Sequence, residues 1–447
     1  MSRVVVRVAG LTSDESAPEQ IFVSLDAAPF AVDDGERLYP FSCERVELMQ
    51  RFNAEPPAVR DVGETLLGRL GEHPAVADAM SKAMGIAPTD CCPLYLRLIG
   101  SESAGEYPWE TLFAPEQGFL ALEGRWPIAR IAAQQLSEAD VRTFAPPLRF
   151  MAVMSAVGVS AAEEWRALRT AIADAHLDIE IELSLWVGEP ELAAQIEQDL
   201  ASDGLRGTVT MLSDAPALLA AISHVDPHIL HLFCHGTGGA APMLQLATRR
   251  DHVRNQGSSI MLEPLALRGV AHATWLVTLN CCEGGSDAEG ARSLAALLIS
   301  AGYPATIGMR EPVASAHAAV FARAFYTAML RQIDTRLVAG EEAELELAAA
   351  LVDPRRQLRD LHRDGAGAAE RHREWTLPVL YVRPDPLRIK RVTADPAHPA
   401  AERKRLTDFL DTLLRYSAQM PADTPQLVRE RIDAEVARTL AALETAP

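Results

Sequence analysis

The chain is poor in positive charge: Lys and Arg together number 42 against 61 Asp and Glu, a formal net charge of −19 with histidine neutral. A surface of that sign repels phosphate backbones and anionic headgroups, which argues against nucleic acid or a membrane surface as a partner. Long apolar runs are missing too, and no stretch approaches the roughly 20 uninterrupted apolar positions of a membrane span. The opening residues, MSRVVVRVAGLTSDESAPEQ, carry no convincing secretory cleavage pattern, so an intracellular, cytoplasmic protein is expected. Cysteine is scarce: Cys43, Cys91, Cys92, Cys234, Cys281 and Cys282 make no disulfide framework in so long a chain. Two adjacent pairs cannot each close a local zinc site at Cys-x-x-Cys spacing, so no metal is expected. No internal repeat of roughly 20 to 50 residues is present, which argues against a solenoid.

What remains is 447 residues, 48% hydrophobic and 23% charged, enough to bury a sizeable core. The first portion mixes strands and helices. RVVVRV (3–8) and IFVSLD (21–26) read as strands, and DDG (33–35) as a turn. From Ser42 to about Gly85 the apolar spacing becomes three and four (Val46, Met49, Phe52; Val62, Leu66, Leu67, Leu70), which predicts amphipathic helices broken at Pro56-Pro57. CPLYLRLIG (92–100) returns to strand, and FLALEGRWPIARI (119–131) reads as a hairpin.

After Pro146-Pro147 the rhythm is regular. Strand patterns at 148–156, 179–187, 207–212, 229–234, 274–280 and 304–309 alternate with helical ones at 161–175, 191–202, 216–223, 291–302 and 316–332. WTLPVLYV (375–382) is the last strand signal, and two amphipathic helical patterns follow RPDP (383–386). Apolar strands alternating with helices predict right-handed βαβ units and a parallel sheet covered on both faces. The expected organisation is an N-terminal α+β portion over 1–145, an α/β domain over 146–385 and a C-terminal helical tail over 386–447.

In such a sheet the functional crevice lies at the carboxyl ends of the strands. HILHLFCHGTGG delivers His235 and Gly236 just past one strand, and TWLVTLNCCEGG delivers Cys281 and Cys282 just past another. If those strands are neighbours, an imidazole and a thiol meet at one sheet edge. A thiolate is the nucleophile of cysteine hydrolases, an imidazole can activate it, and the N–H groups of Gly236 and Cys282 could receive the oxyanion. Gly236, without Cβ, lets a substrate carbonyl come close. The competing reading is a hydrogen-bonded structural histidine beside buried cysteines.

ILHLFCHG followed by LVTLNCCEGG resembles the paired signature of CHAT-domain proteins, caspase-like cysteine peptidases related to separase, metacaspases and gingipains. Asn280, Cys281, Cys282, Glu283, Gly284 and Gly285 fill the second motif in order; the resemblance makes Cys282 the nucleophile and His235 the base, and puts Cys281 at a small packed position. YPWETLF (107–113), FLALEGRWPIARI, SLAALLISAGYPATIGM, FYTAML and WTLPVLY resemble further family segments, so the resemblance runs from about residue 40 to 385. It implies a caspase-like α/β fold and a cysteine endopeptidase acting on a protein substrate, with no cofactor. It further implies a regulated bacterial protease in stress or antiviral defence, switched on by a partner or ligand such as a TPR protein. The alternative is a noncatalytic caspase-like scaffold or adaptor.

The sequence departs from the family in two places. MREPVAS (309–315) replaces the Trp and acidic pair common after that strand, and Asn280 stands where basic-P1 relatives carry Asp. Asn280, Glu283 and Glu311 are the substrate-binding candidates, with Asp287 and Glu289 as further acids, because a pocket reading Arg or Lys needs a carboxylate. Each acid alone reads more readily as solvated. Trp109 and Glu110 read as packing with an exposed acid. Cys234 points away from His235 by strand alternation. The charged segment 248–259 reads as part of a hairpin bordering the cleft.

Overall fold

β-branched and apolar runs become strands wherever both faces can be covered. The computed structural model describes residues 3–11, 19–100, 102–132, 141–237, 242–254, 257–281, 288–339, 342–362 and 365–392, with scattered positions between 407 and 443. The large sheet contains β1 (Val4–Leu11), β2 (Gln20–Ala27), β3 (Tyr39–Pro40), β4 (Leu94–Ile99), β5 (Ile128–Ala132), β6 (Leu148–Met154) and β7 (Ile181–Val187). It continues with β8 (Gly207–Met211), β9 (Ile229–Gly236), β10 (Leu244–Leu246), β11 (Ile260–Leu262), β12 (Leu276–Cys281), β13 (Ala305–Met309) and β14 (Pro378–Val382).

The strand order is β8-β7-β6-β9-β12-β13-β14-β5-β4-β1-β2-β3, with the β10–β11 hairpin attached to β9. Two parallel runs, β8 to β13 and β14 to β1, meet where β13 pairs antiparallel with β14. The architecture is the expected α/β one, a mostly parallel sheet flanked by helices.

In the first run, α4 (Ala162–Ala175), α5 (Pro190–Asp203) and α9 (Ser315–Ala339) cover one face, where Trp165, Ile196 and Phe325 join a core with Ile229 and Phe233 of β9. The other face is covered by α6 (Ala215–Val225) and α8 (Ala288–Ser300), where Leu218, Ile222 and Leu298 pack on Leu230, Leu232 and Cys234. Successive side chains of β9 thus enter opposite layers, as the period of two requires.

Helices fill the stretch between β3 and β4 as the three-and-four spacing predicts, at Arg45–Phe52, Val59–Leu70 and Pro74–Met84. In the first of these the buried pair is Leu48 and Phe52, while Val46 is exposed, so the apolar face is turned from the expected one. The third begins on His73, whose Nδ1 accepts from the N–H of Ala75 (3.1 Å), a cap in the place usually held by Ser or Asp. The hairpin expected over 119–131 is not formed. Phe119 pairs back onto Phe113, a 3-10 turn follows over Leu120–Leu122, and 128–132 becomes β5, held between β4 and β14 by hydrogen bonds no local pattern announces. A small sheet of Val141–Phe144, Glu342–Leu345 and Leu387–Arg391, absent from the sequence reading, has the alternation of a half-buried edge: Leu387 and Ile389 are buried, Arg388 and Lys390 exposed.

Met1–Arg391 forms one compact unit and Val392–Pro447 a second, in which the described positions from 407 onward are helical.

Candidate active site

β9 and β12 are hydrogen-bonded parallel neighbours, with Ile229 opposite Leu276 and Cys234 opposite Cys281. The strand ending in His235-Gly236 therefore lies beside the strand ending at Cys281, both running to the same sheet edge. This is the juxtaposition on which the imidazole–thiol expectation depended. Cys282, Glu283 and Asp287 lie outside the described residues, and nothing is described of the Glu289 side chain.

His235 is 7% exposed. Its Nε2 lies 2.8 Å from the carbonyl oxygen of Val157. A carbonyl only accepts, so Nε2 carries the proton, and in the neutral ring Nδ1 keeps its lone pair. Nδ1 is shielded and hydrogen-bonded to no described residue. The ring is thus anchored through one nitrogen with the basic one uncommitted. Its anchor sits in the turn after β6, where Ala156 bridges Val159 and Gly158 adopts φ +81°, a left-handed conformation natural to glycine. That turn sets the direction of the Val157 carbonyl.

The direction of the Gly236 N–H follows from hydrogen bonds around it. Ser155 N–H donates to the Phe233 carbonyl (2.8 Å), and Thr237 N–H donates to the Met243 carbonyl (2.9 Å) beside β10. Phe233, His235 and Thr237 therefore turn their backbone groups to the β6/β10 edge. Gly236, of opposite parity and paired across from Leu244, turns its N–H toward the β12 edge.

Beneath this edge lies a buried polar network absent from the sequence reading. Asn280, with no exposed surface, donates through Nδ2 to Glu164 Oε1 (2.8 Å) and to the Ala318 carbonyl (3.2 Å). His231 Nδ1 lies 2.9 Å from the Tyr326 hydroxyl, and its Nε2 is 3.0 Å from Glu164 Oε1 at ion-pair distance without hydrogen-bond alignment. Burial pushes the Tyr326 phenol well above its ordinary value, so it stays protonated. The network ties β9 and β12 to α4 and α9. Its members are far apart in the chain, and the only signal in the sequence was polar residues within apolar strands.

Glu311 follows β13 by two residues and pairs with Arg373, Oε2 to guanidinium nitrogen 3.0 Å. Its charge is already compensated. Cys234 is buried in the α6/α8 layer, away from His235. Trp109 is buried with its indole N–H on the Ala104 carbonyl (2.8 Å). Glu110 corrects the expectation of an exposed acid: it has no exposed surface and binds Arg130 in a two-pronged pair, 3.0 and 2.7 Å. Burial alone would raise its carboxyl, but Arg130, with Arg355 and Arg310 beyond, outweighs burial and holds it below its usual range.

The segment between β10 and β11 carries a short helix, α7 (Arg249–Arg254). Asp251 pins its base, accepting from Thr248 N–H (2.8 Å), Thr248 hydroxyl (2.8 Å) and Ser259 N–H (3.1 Å). β10 and β11 pair antiparallel around this segment, so the expected hairpin is formed.

The CHAT domain family model matches residues 60–388. The chain belongs to the CHAT family. No curated protein matches it at a significant level. Among solved structures it is similar to the Saccharomyces cerevisiae separase–securin complex, at 12% identity and a TM-score of 0.35 over 83% of this chain. The chain spans about a fifth of that solved chain, 22% of its length. Among the described residues, no helix of this CHAT protein is long and apolar enough to cross a membrane.

Proposed function

We propose that the protein is a cysteine endopeptidase in which His235 activates the Cys282 thiol against a peptide bond of a protein substrate. The observation that supports this reading most is the parallel register of β9 and β12, which sets the His235-Gly236 strand end beside the strand leading into Cys282. Val277 and Leu279 face the α6/α8 layer, while Asn280 turns to the opposite one and meets Glu164; of the two adjacent cysteines, the family resemblance makes Cys282 the nucleophile.

In the proposed reaction Nδ1 of His235 takes the thiol proton, and the thiolate adds to the carbonyl carbon. The oxyanion is received by the N–H groups of Gly236 and Cys282. Collapse breaks the C–N bond, and the imidazolium protonates the departing amine. Water, deprotonated by the same imidazole, then hydrolyses the thioester. Asn280 and Glu164 hold the floor beneath the site, while Glu283 and Glu311 are its substrate-side candidates. We further assign the protein, on its family resemblance, to regulated proteolysis in bacterial stress or antiviral defence, with a partner such as a TPR protein or a ligand completing the site.

The test compares new protein N-termini in cells expressing the wild type and Cys282→Ala. Cleavages present only with the intact thiol are expected; identical N-terminal profiles, with the wild type supplied with its genomic neighbours, would favour a noncatalytic scaffold.

A further inference from the structure

The hairpin of β10 and β11 continues the sheet beyond the proposed base, and one of its faces is open. His235 pairs directly across from Gln245, and Gln245 directly across from Met261. Residues opposite one another on adjacent strands share a face, so the three side chains form one row. Their strand neighbours fix the side: Leu244, Leu246, Ile260 and Leu262 are buried in the α6/α8 layer, and the row lies on the other face. Burial falls along the row, from His235 at 7% exposed through half-buried Gln245 to Met261 at 44%. The Gln245 amide is hydrogen-bonded to no described residue.

The same hairpin carries concentrated positive charge in a chain whose net charge is −19. In α7, Arg250, Val253 and Arg254 stand three and four residues apart and share an outer face. All three are exposed, Val253 at 72%, and neither arginine is paired with a carboxylate among the described residues. Asp251, the acid of the same helix, is buried beneath them and held by Thr248 and Ser259. His252 docks the helix onto the body, its Nε2 lying 3.0 Å from Ser155 Oγ, two residues before the Val157 carbonyl that anchors His235. A basic and apolar patch is thus fixed to the frame that holds the proposed base.

In the proposed reaction His235 protonates the departing amine, so the residues that follow the scissile bond lie on the His235 side of the thiol. β10 and β11 stand on the edge of β9 away from β12, the strand leading into Cys282, and the leaving half of a substrate therefore passes over them. Strands about 4.8 Å apart put Met261 about 10 Å from His235, the reach of about three residues of extended chain. Resting on that proteolytic reading, we propose that this hairpin selects the leaving half of a protein substrate. An apolar side chain about three residues after the cleaved bond packs on Met261, whose thioether adapts to different shapes. The Gln245 amide holds the peptide backbone in between, and acidic residues farther on pair with Arg250 and Arg254. The substrate class is a segment in which acids follow an apolar residue on the far side of the cleavage point.

The test reads the new protein N-termini made by the full chain in cells that also carry its genomic neighbours, because each begins with the residue just after the cleaved bond. Among the termini lost in Cys282→Ala, apolar residues are expected to be enriched near the third position and Asp and Glu beyond it. In Arg250→Glu/Arg254→Glu the acid-bearing termini are expected to fall about tenfold relative to the rest, with Lys and Arg gaining in their place. Met261→Gln is expected to erase the apolar preference while the preference for acids stays. These positions are exposed, and unchanged melting temperatures verify that the variants fold. Thiol-dependent termini without these preferences, or with the same preferences in the folded variants, overturn this proposal and leave the peptidase standing. A complete absence of thiol-dependent termini overturns both.

Discussion

Glu110 has no solvent-exposed surface, and three arginines share its charge. Arg130 binds it directly, while Arg355 reaches the carbonyls of Ile128 (3.3 Å) and Pro378 (3.1 Å) and leans on Glu110 only through space. Burial lowers Arg355 to about 10, still far enough above neutrality to keep its charge. Glu110→Ala strands the Arg130 guanidinium in the interior, and a loss of about 3–5 kcal/mol in denaturant unfolding is expected. The pH dependence follows from the same pair. A carboxyl held below its unfolded value contributes stability that is complete above the unfolded pKa and disappears as pH falls through the folded one. The wild type is therefore expected to lose melting temperature on acidification below about pH 4, more steeply than Glu110→Gln, in thermal scans across pH. At the proposed nucleophile, Cys282→Ala and His235→Ala are expected to abolish cleavage while Cys281→Ala keeps most of it; equal loss in folded Cys281→Ala would refute the assignment of Cys282. The His-Gly and Asn-Cys strand ends were legible because each closes a mostly apolar run. Glu164 was not: it sits in an ordinary amphipathic helix, and only tertiary packing brings it to Asn280.

Single elements aim the site. Gly158 at φ +81° turns the chain so that the Val157 carbonyl meets His235, and an alanine there is strained by about 1–2 kcal/mol. Gly158→Ala is expected to lower the turnover number with little change in KM and to shift the alkaline or acid limb of the pH–rate profile, because the imidazole loses its anchor rather than its substrate. A purely structural role would leave that profile unmoved. Gly188, just past β7, serves by close approach: a Cβ there would meet Ser155 Oγ at 2.2 Å, the Ala247 carbonyl at 2.5 Å and a His252 ring carbon at 2.6 Å. Three neighbouring strand-end loops therefore interlock around a missing side chain. The strands themselves were legible from their period of two and the long helices from three-and-four spacing. The 119–131 segment was misread because its apolar content suits a hairpin or a buried parallel strand equally, and the choice is made by β4 and β14.

At the scale of the whole molecule, the sheet is closed by a strand from the far end of the chain. β14 inserts between β13 and β5, pairing Met309 with Pro378 and Val382 with Ile131. Nothing in a local pattern announces such pairings, which is why the alternation of elements was legible and their order across the sheet was not. Until β14 arrives, β13 and β5 each present an unpaired edge, and the buried Arg355 lacks the Pro378 carbonyl that it binds. Long-range pairing of this kind makes folding depend on nearly complete synthesis of the first unit. A chain ending before Pro378 is therefore expected to lack a protease-resistant core and to show no cooperative melt. A chain ending after Arg391 retains every described strand of all three sheets and the whole first unit, and is expected to keep both properties. Limited proteolysis and thermal unfolding of the two truncations check this directly. A cooperative melt in the shorter one would mean that the two parallel runs fold separately and that β14 merely docks between them.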